Sequence, residues 1–480
     1  MRLVDLALIA VYLVGITLFG ARFRHTQKSL KDYFLGGREA PWWAIAFSIV
    51  SAETSTLTVI GTPGISFNGN MGFLQVVFGY LLARVVISVL LLPHYFRGEM
   101  FTAYELMQRR FGPRIRRLTA GSFLFLRAMA EGVRVFAISI VVGIVLGTGE
   151  ELSILIIVCL TLFYTFEGGM TAVIWTDVVQ MALYILGAVV SLFVILGKIP
   201  GGWEHVAQTA AETGKFQVFD FRFEPTLEFF SRKYSFWAGI LGGCFLTTAS
   251  HGTEQLMVQR LLAARSQVES QRALLASWVV VFCQFTLFLT IGVILFVYYK
   301  DSGLAPPASA DRIYPQFIWQ YLPTGVAGLS IAAILAAAMS NLSAAINSLA
   351  STTVMDFLKP MSRKERTDRE WLATAKRWTL VWGGILFAVA VLAQGVKSVF
   401  EAGLGIASMI YGSLLGVFLL GVLTRHIQKK AAMAGMACGL SVILYVKFAT
   451  PIAFTWYVLI GASVTFAVAC AVSPFLKGSK

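Results

Sequence analysis

WWAIAFSIVSAETSTLTVIGTPGISF, residues Trp42 to Phe67, is long enough to cross a bilayer, since about 20 residues suffice. Its middle, Ser51 to Thr58, nevertheless sets Glu53 among hydroxyl side chains. A lipid-facing helix does not carry such a run, because unsatisfied polar groups are costly in hydrocarbon. The economical reading is a helix that breaks at mid-membrane and lines a site, with Gly61, Pro63 and Gly64 at its far end.

The rest of the chain fits that reading. Of 480 residues, 57% are hydrophobic and 13% charged, against about 25% charged in soluble domains. The sequence therefore predicts an all-α polytopic membrane protein. No cleavable leader is expected, because the first apolar run (Leu3 to Ala21) lacks a basic lead-in and a small-residue cleavage site. The net charge of +14 lies in blocks between apolar spans, which points to a lipid bilayer and not to nucleic acid. Cys159, Cys244, Cys283, Cys438 and Cys470 lie in or beside apolar spans without a CxxC pair, and read as small core residues.

Thirteen spans are expected, near 2–21, 41–67, 72–96, 118–146, 152–166, 171–198, 236–253, 274–299, 326–357, 377–395, 400–424, 431–449 and 454–476. With the N-terminus outside, the inner segments hold 26 Lys and Arg, the outer ones 10, and the spans themselves three. That asymmetry favours an outer N-terminus and a cytoplasmic C-terminus in the cell membrane. A second interrupted helix is expected at Ile240–Gln255, where Gly242-Gly243 precede the polar run Thr247–Gly252. The interruptions fall in spans two and seven, which fits two inverted repeats of five helices and points to a secondary transporter's site. The organisation reads as a first helix and inner loop (1–40), a first repeat (41–198), an outer loop (199–235), a second repeat (236–424) and two terminal helices (425–480). An amphipathic helix is expected near Trp203–Thr213 in the outer loop.

Other classes find little support. There is no GxxxxGK[ST] loop, no HExxH and no GxSxG, and His25, His94, His205, His251 and His426 are scattered. ATP hydrolysis by the P-loop route and intramembrane catalysis are therefore not expected. A non-transporting solute sensor needs a signalling partner, and no fused signalling domain is legible.

Four blocks carry a resemblance: DYFLGGR at Asp32–Arg38 with Pro41–Trp43, GGMTAVIWTDVVQ at Gly168–Gln180, EQLMVQR at Glu254–Arg260, and AAAMSNLSAAINSLAS at Ala336–Ser351. In this order they resemble the sodium:solute symporter family, which includes sodium-coupled sugar, proline, iodide and sialic-acid transporters. The resemblance implies a leucine-transporter-type fold, alternating access driven by Na+, and a monomer as the transport unit. It also implies a sodium site between the second and ninth spans, built from carbonyls of Ser51, Thr54 and Ala337 and side-chain oxygens of Ser340 and Asn341. Asn341 departs from the Ser or Thr usual there. A possible second sodium falls to Asp177 and Ser343, with Ala344 where sialic-acid transporters have another serine; the alternative for Asp177 is pairing with a nearby cation.

The charges at membrane depth bear on the solute. Arg127, Glu131 and Arg134 share one helix face by their i,i+4 and i,i+3 spacings, and Arg84 lies in the third span. They read either as a carboxylate clamp, with Arg134 the better candidate, or as an internal ion network. Glu53, Ser55, Thr58, Gln75 and His251 complete the candidate solute contacts. Ser250-His251 stand where the sugar transporters bring an aromatic pair. Charges and small hydroxyls without a stacking platform favour an amino acid, a monocarboxylate or an acidic sugar over a neutral sugar or polyol.

Overall fold

The computed structural model describes residues 2–23, 28–224, 226–307, 309–363, 365–394 and 399–476. Among them there is no strand, only an isolated bridge between Ala40 and Ala264. Among the described residues nine helices are long and apolar enough to cross a membrane, and one bent pair makes a tenth if it is a single span. The helices that matter here are α1 (Leu3–Ala21), α2 (Leu30–Leu35), α3 (Trp42–Glu53), α4 (Thr56–Asn68), α5 (Leu74–Val86), α6 (Tyr104–Phe111), α7 (Pro113–Leu146), α8 (Glu150–Leu196) and α9 (Gly202–Glu212). They continue as α10 (Gly243–Gly252), α11 (Gln255–Leu262), α12 (Gln267–Ser302), α13 (Ala310–Tyr321), α14 (Val326–Thr352), α15 (Asp368–Leu392), α16 (Val399–Leu423), α17 (Lys429–Ala449) and α18 (Tyr457–Val472).

The bent pair is α3–α4. It turns by 65° at Thr54 and Ser55, whose backbones are extended. The break falls inside the polar run, while Gly61, Pro63 and Gly64 stay within α4, which ends at Asn68. A helix end leaves its last carbonyls without i+4 donors, and here those carbonyls face the protein interior. Ser55 N donates to Thr58 Oγ1 (3.3 Å), closing the start of α4.

The second interruption falls inside the expected stretch Ile240–Gln255, at its far end and not at the glycines that precede the polar run. Ala238–Gly242 is a π-helical turn leading into α10, and the chain breaks at Thr253 and Glu254. The glycines serve packing instead. A Cβ on Gly79 would sit 2.4 Å from the Gly239 carbonyl oxygen, and one on Gly243 would sit 2.5 Å from that of Val76. Residues 255–262, expected in an inner loop, form the wholly buried α11, so Arg260 belongs to the protein interior. The expected spans 152–166 and 171–198 meet as α8, broken at Gly169, whose φ of 55° is a left-handed value that suits glycine.

α14 occupies the middle of the bundle, packed on α8. Its run of Ala, Ser and Asn is buried from Ile331 to Thr352, since small side chains let neighbouring helices approach closely. Its first turn is closed from another helix. Asp5 of α1, fully buried, accepts from Gly325 N (2.6 Å) and Gly328 N (2.8 Å). The segment that follows α9 grips the bent helix: Lys215 Nζ donates to the Phe67 carbonyl (2.6 Å) and lies 4.0 Å over the Phe296 ring. At the opposite face Arg116 donates to Asp356 (2.5 Å) and to the Met355 carbonyl (2.7 Å), joining α7 to the turn that follows α14.

Candidate functional site

Three groups of polar side chains converge where the two breaks face α7, α8 and α14. The first surrounds Asp177 on α8. Ser48 Oγ donates to its Oδ2 (2.5 Å), Ser340 Oγ to its Oδ1 (2.6 Å), and Arg260 Nη2 to Oδ2 (2.9 Å). Arg260 also donates through Nε to Ser48 Oγ (2.9 Å). Ser51 Oγ and Ser340 Oγ lie 2.7 Å apart, and Ser343 Oγ donates to the Ser340 carbonyl (3.1 Å). Asp177 is thus paired with a cation of the protein itself, the alternative to a second sodium. Ala344 is buried beside Ser343 and adds no oxygen ligand from its side chain.

The second group centres on Asn341, one helical turn beyond Ala337. Asn341 Nδ2 donates to the Ala52 carbonyl at the end of α3 (2.6 Å), and its Oδ1 accepts from Arg127 Nη2 (3.1 Å). A carbonyl only accepts and a guanidinium only donates, so these partners define which way the amide faces. Of the expected sodium ligands, Ser51 and Ser340 meet between α3 and α14, and Asn341 reaches the end of α3. The carbonyl that touches Asn341 is that of Ala52, which the sequence reading did not single out. The Thr54 hydroxyl turns aside, to the Val50 carbonyl (2.7 Å) and to Gln284 (Nε2 donates at 2.7 Å).

The third group is an ion network. Arg127, 4% exposed, donates to Glu131 (2.9 Å) and Glu254 (3.2 Å) as well as to Asn341. Arg134 donates to the same Glu131 oxygen (3.2 Å), and Tyr411 donates to Glu254. Arg84 pairs with Glu53 (2.7 Å) and donates to Ser277 (3.1 Å), while His251 Nε2 stands 3.2 Å from the same Glu53 oxygen. Glu254 follows the second break directly and Glu53 closes α3 directly before the first. The ion pairs therefore tie the two interruptions to the helices around them.

Between these groups lies a narrow void lined by Ser55, Thr56, Glu131, Arg134, Val135, Ile138, Ile157, Ala338, Asn341 and Leu342. Its free space is close to that of one water, so a larger solute requires the helices to part. Arg134 Nε is buried there without a hydrogen-bond partner, as is Arg127 Nε. Of the expected solute contacts, Ser55 and Arg134 line the void; Glu53 and His251 are paired nearby. Thr58 is held in the cap of α4. Gln75 does not join them. Its amide donates to the carbonyls of Gly72 (3.1 Å) and Tyr234 (3.2 Å) and accepts from Asp220 N (2.9 Å), a staple on the segment between α9 and α10.

The description that matches the sequence is the Sodium:solute symporter family, over residues 33–439. A putative sodium-dependent multivitamin transporter of Drosophila melanogaster is 29% identical, covering 93% of this chain and 75% of that protein. The sodium-coupled monocarboxylate transporter 2 of Bos taurus is 28% identical, with coverages of 92% and 72%. The sodium/sialic acid symporter NanT of Aliivibrio fischeri is 26% identical, covering 98% and 92%. A substrate-bound, outward-open structure of a Na+-coupled sialic acid symporter superposes with a TM-score of 0.90 at 26% identity, covering 99% of both chains.

Proposed function

The chain belongs to the sodium:solute symporter family and is a Na+-coupled secondary transporter of the membrane, and from that premise we propose that its solute is a small organic monoanion, a monocarboxylate or an acidic sugar. The observation that carries this reading is Arg134, whose Nε faces no partner in the void while Nη1 is held by Glu131. A carboxylate accepts two parallel N–H bonds from a guanidinium, and Ser55 and Thr56 offer hydroxyls beside it. Relatives that carry monocarboxylates and sialic acid support the same class.

Charge balance narrows the choice within that class. The buried network holds four guanidiniums (Arg84, Arg127, Arg134, Arg260) and four carboxylates (Glu53, Asp177, Glu131, Glu254). With His251 neutral it carries no net charge, and leaving net charge in a low-dielectric interior is costly. One Na+ with one monoanion preserves neutrality; one Na+ with a zwitterionic amino acid does not. The Na+ is placed between α3 and α14, on oxygens of Ser51, Ala52, Thr54, Ala337, Ser340 and Asn341. Unwound carbonyls and hydroxyls are suited to a hard cation. The Asp177–Arg260 pair supports a single sodium.

In this reading the chain crosses thirteen times: α1, α3–α4, α5, α7, the two halves of α8, α10–α11, α12, α14, α15, α16, α17 and α18. The N-terminus lies outside, the broken helices are second and seventh in two inverted repeats, and the monomer is the transport unit. Uptake into proteoliposomes tests the function, with labelled lactate, N-acetylneuraminate, proline and glucose under inward Na+ or K+ gradients. Accumulation of lactate or N-acetylneuraminate with Na+ alone is expected. Accumulation of proline or glucose instead overturns the monoanion assignment.

A further inference from the structure

Arg127 joins Asn341, the proposed cation ligand, to Glu131, which lines the void. Through Nη2 it donates to Asn341 Oδ1 (3.1 Å) and to Glu131 (2.9 Å), and Glu131 in turn holds Arg134 (3.2 Å). Nη1 is anchored to Glu254 (3.2 Å), which Tyr411 fixes from α16. Asn341 bridges to the other side, donating to the Ala52 carbonyl (2.6 Å).

From this chain of contacts we infer that Arg127 is the positioning residue that couples the two sites, passing the arrival of Na+ at Asn341 to Arg134 by way of Glu131. The inference rests on the symport reading above and deepens it. A sodium ion needs the Asn341 oxygen that Arg127 now engages, and two cations do not share one amide oxygen at close range without strong repulsion. When Na+ takes that oxygen, the guanidinium withdraws onto the carboxylates it already touches. Glu131 then has a single strong partner in Arg127, its hold on Arg134 weakens, and the Arg134 fork turns to a carboxylate in the void. Without Na+, Glu131 is shared by both guanidiniums and competes with the solute. The unpartnered Nε atoms of Arg127 and Arg134 give each side chain a donor for the second arrangement. Reciprocity follows, since a ligand that favours one state of the relay raises the affinity of the other ligand equally.

The relay is specific to Asn341. A serine there still offers Na+ an oxygen, yet is too short to reach Arg127. The test is mapped labelling of Arg134 by phenylglyoxal in the purified full chain, read by mass spectrometry in NaCl and in KCl. It needs no knowledge of the solute. In the unaltered chain Na+ is expected to raise labelling of Arg134. Asn341→Ser is expected to abolish that response while keeping a Na+-dependent rise in melting temperature, which shows a folded protein that still binds the ion. Glu131→Gln is expected to label strongly in both salts. Where lactate or N-acetylneuraminate binds, Na+ is expected to tighten it by about 5- to 150-fold, the usual range of such coupling, and by under twofold in Asn341→Ser. Equal labelling in NaCl and KCl for the unaltered chain, or an undiminished response in Asn341→Ser, overturns the relay. Na+-dependent labelling without binding of either acid leaves the relay standing and overturns the solute class instead.

Discussion

Arg134 and Gln75 show how the same expectation divides at the residue scale. Both were read from sequence as solute contacts, and only Arg134 reaches the void. Removing a charge-assisted contact to a bound carboxylate costs about 1.5–3 kcal/mol. Arg134→Gln is therefore expected to weaken binding of the accepted acid by about 10- to 100-fold, given 1.4 kcal/mol per decade. Na+ binding without solute should be unchanged in that variant, and isothermal titration separates the two. Gln75→Leu is expected to do the reverse. Solute affinity stays within twofold, while loss of the amide's bonds to Tyr234 and Asp220 destabilises the segment between α9 and α10 by about 1–3 kcal/mol. Faster proteolysis between Phe216 and Glu224 would register this, and a fall in solute affinity would return Gln75 to the site.

At the scale of elements, the end of α14 that receives Asp5 is as informative as its middle. The Asp5 carboxylate satisfies two amides of the first turn of the helix that carries Ser340 and Asn341. N-terminal capping and the helix dipole together make Asp5→Ala cost about 1–2 kcal/mol, expected as a lower melting temperature with Na+ affinity intact. The first break was legible because a run of hydroxyls with a carboxylate has no place against lipid. The second was legible as the stretch Ile240–Gln255, which holds the break, but not to the residue. Gly242-Gly243, which lead into the polar run, pack against Thr455 and the Val76 carbonyl, and the break falls at Thr253-Glu254. Ending the span at 253 left Arg260 in what read as a loop. Its ion pair with Asp177 spans 83 positions in sequence, a separation no local pattern encodes. The bond from Asn341 to the Ala52 carbonyl was equally unreadable, since it depends on the packing distance between two helices. Arg127, by contrast, was visible as a charge at membrane depth beside Glu131; its bonds to Glu254 and Asn341 were not.

For the molecule as a whole, a neutral network that takes one Na+ and one monoanion moves no net charge. Uptake is therefore expected to be insensitive to membrane potential: a valinomycin-imposed K+ diffusion potential of either sign should change initial rates by less than twofold at fixed Na+ gradient. A strong increase with an inside-negative potential would mean more than one Na+ per solute, and would reopen Asp177 as a sodium ligand. The glycines where α5 meets α10 carry one more consequence. With Gly79 and Gly243 set directly against opposing backbone, these helices meet too closely at those points to slip past one another. They are built to travel as a single block, whatever the rest of the bundle does. Spin labels bridging α5 and α10 should thus report one unvarying separation with and without Na+, a fixed ruler inside the protein against which the swing of every other helix can be measured.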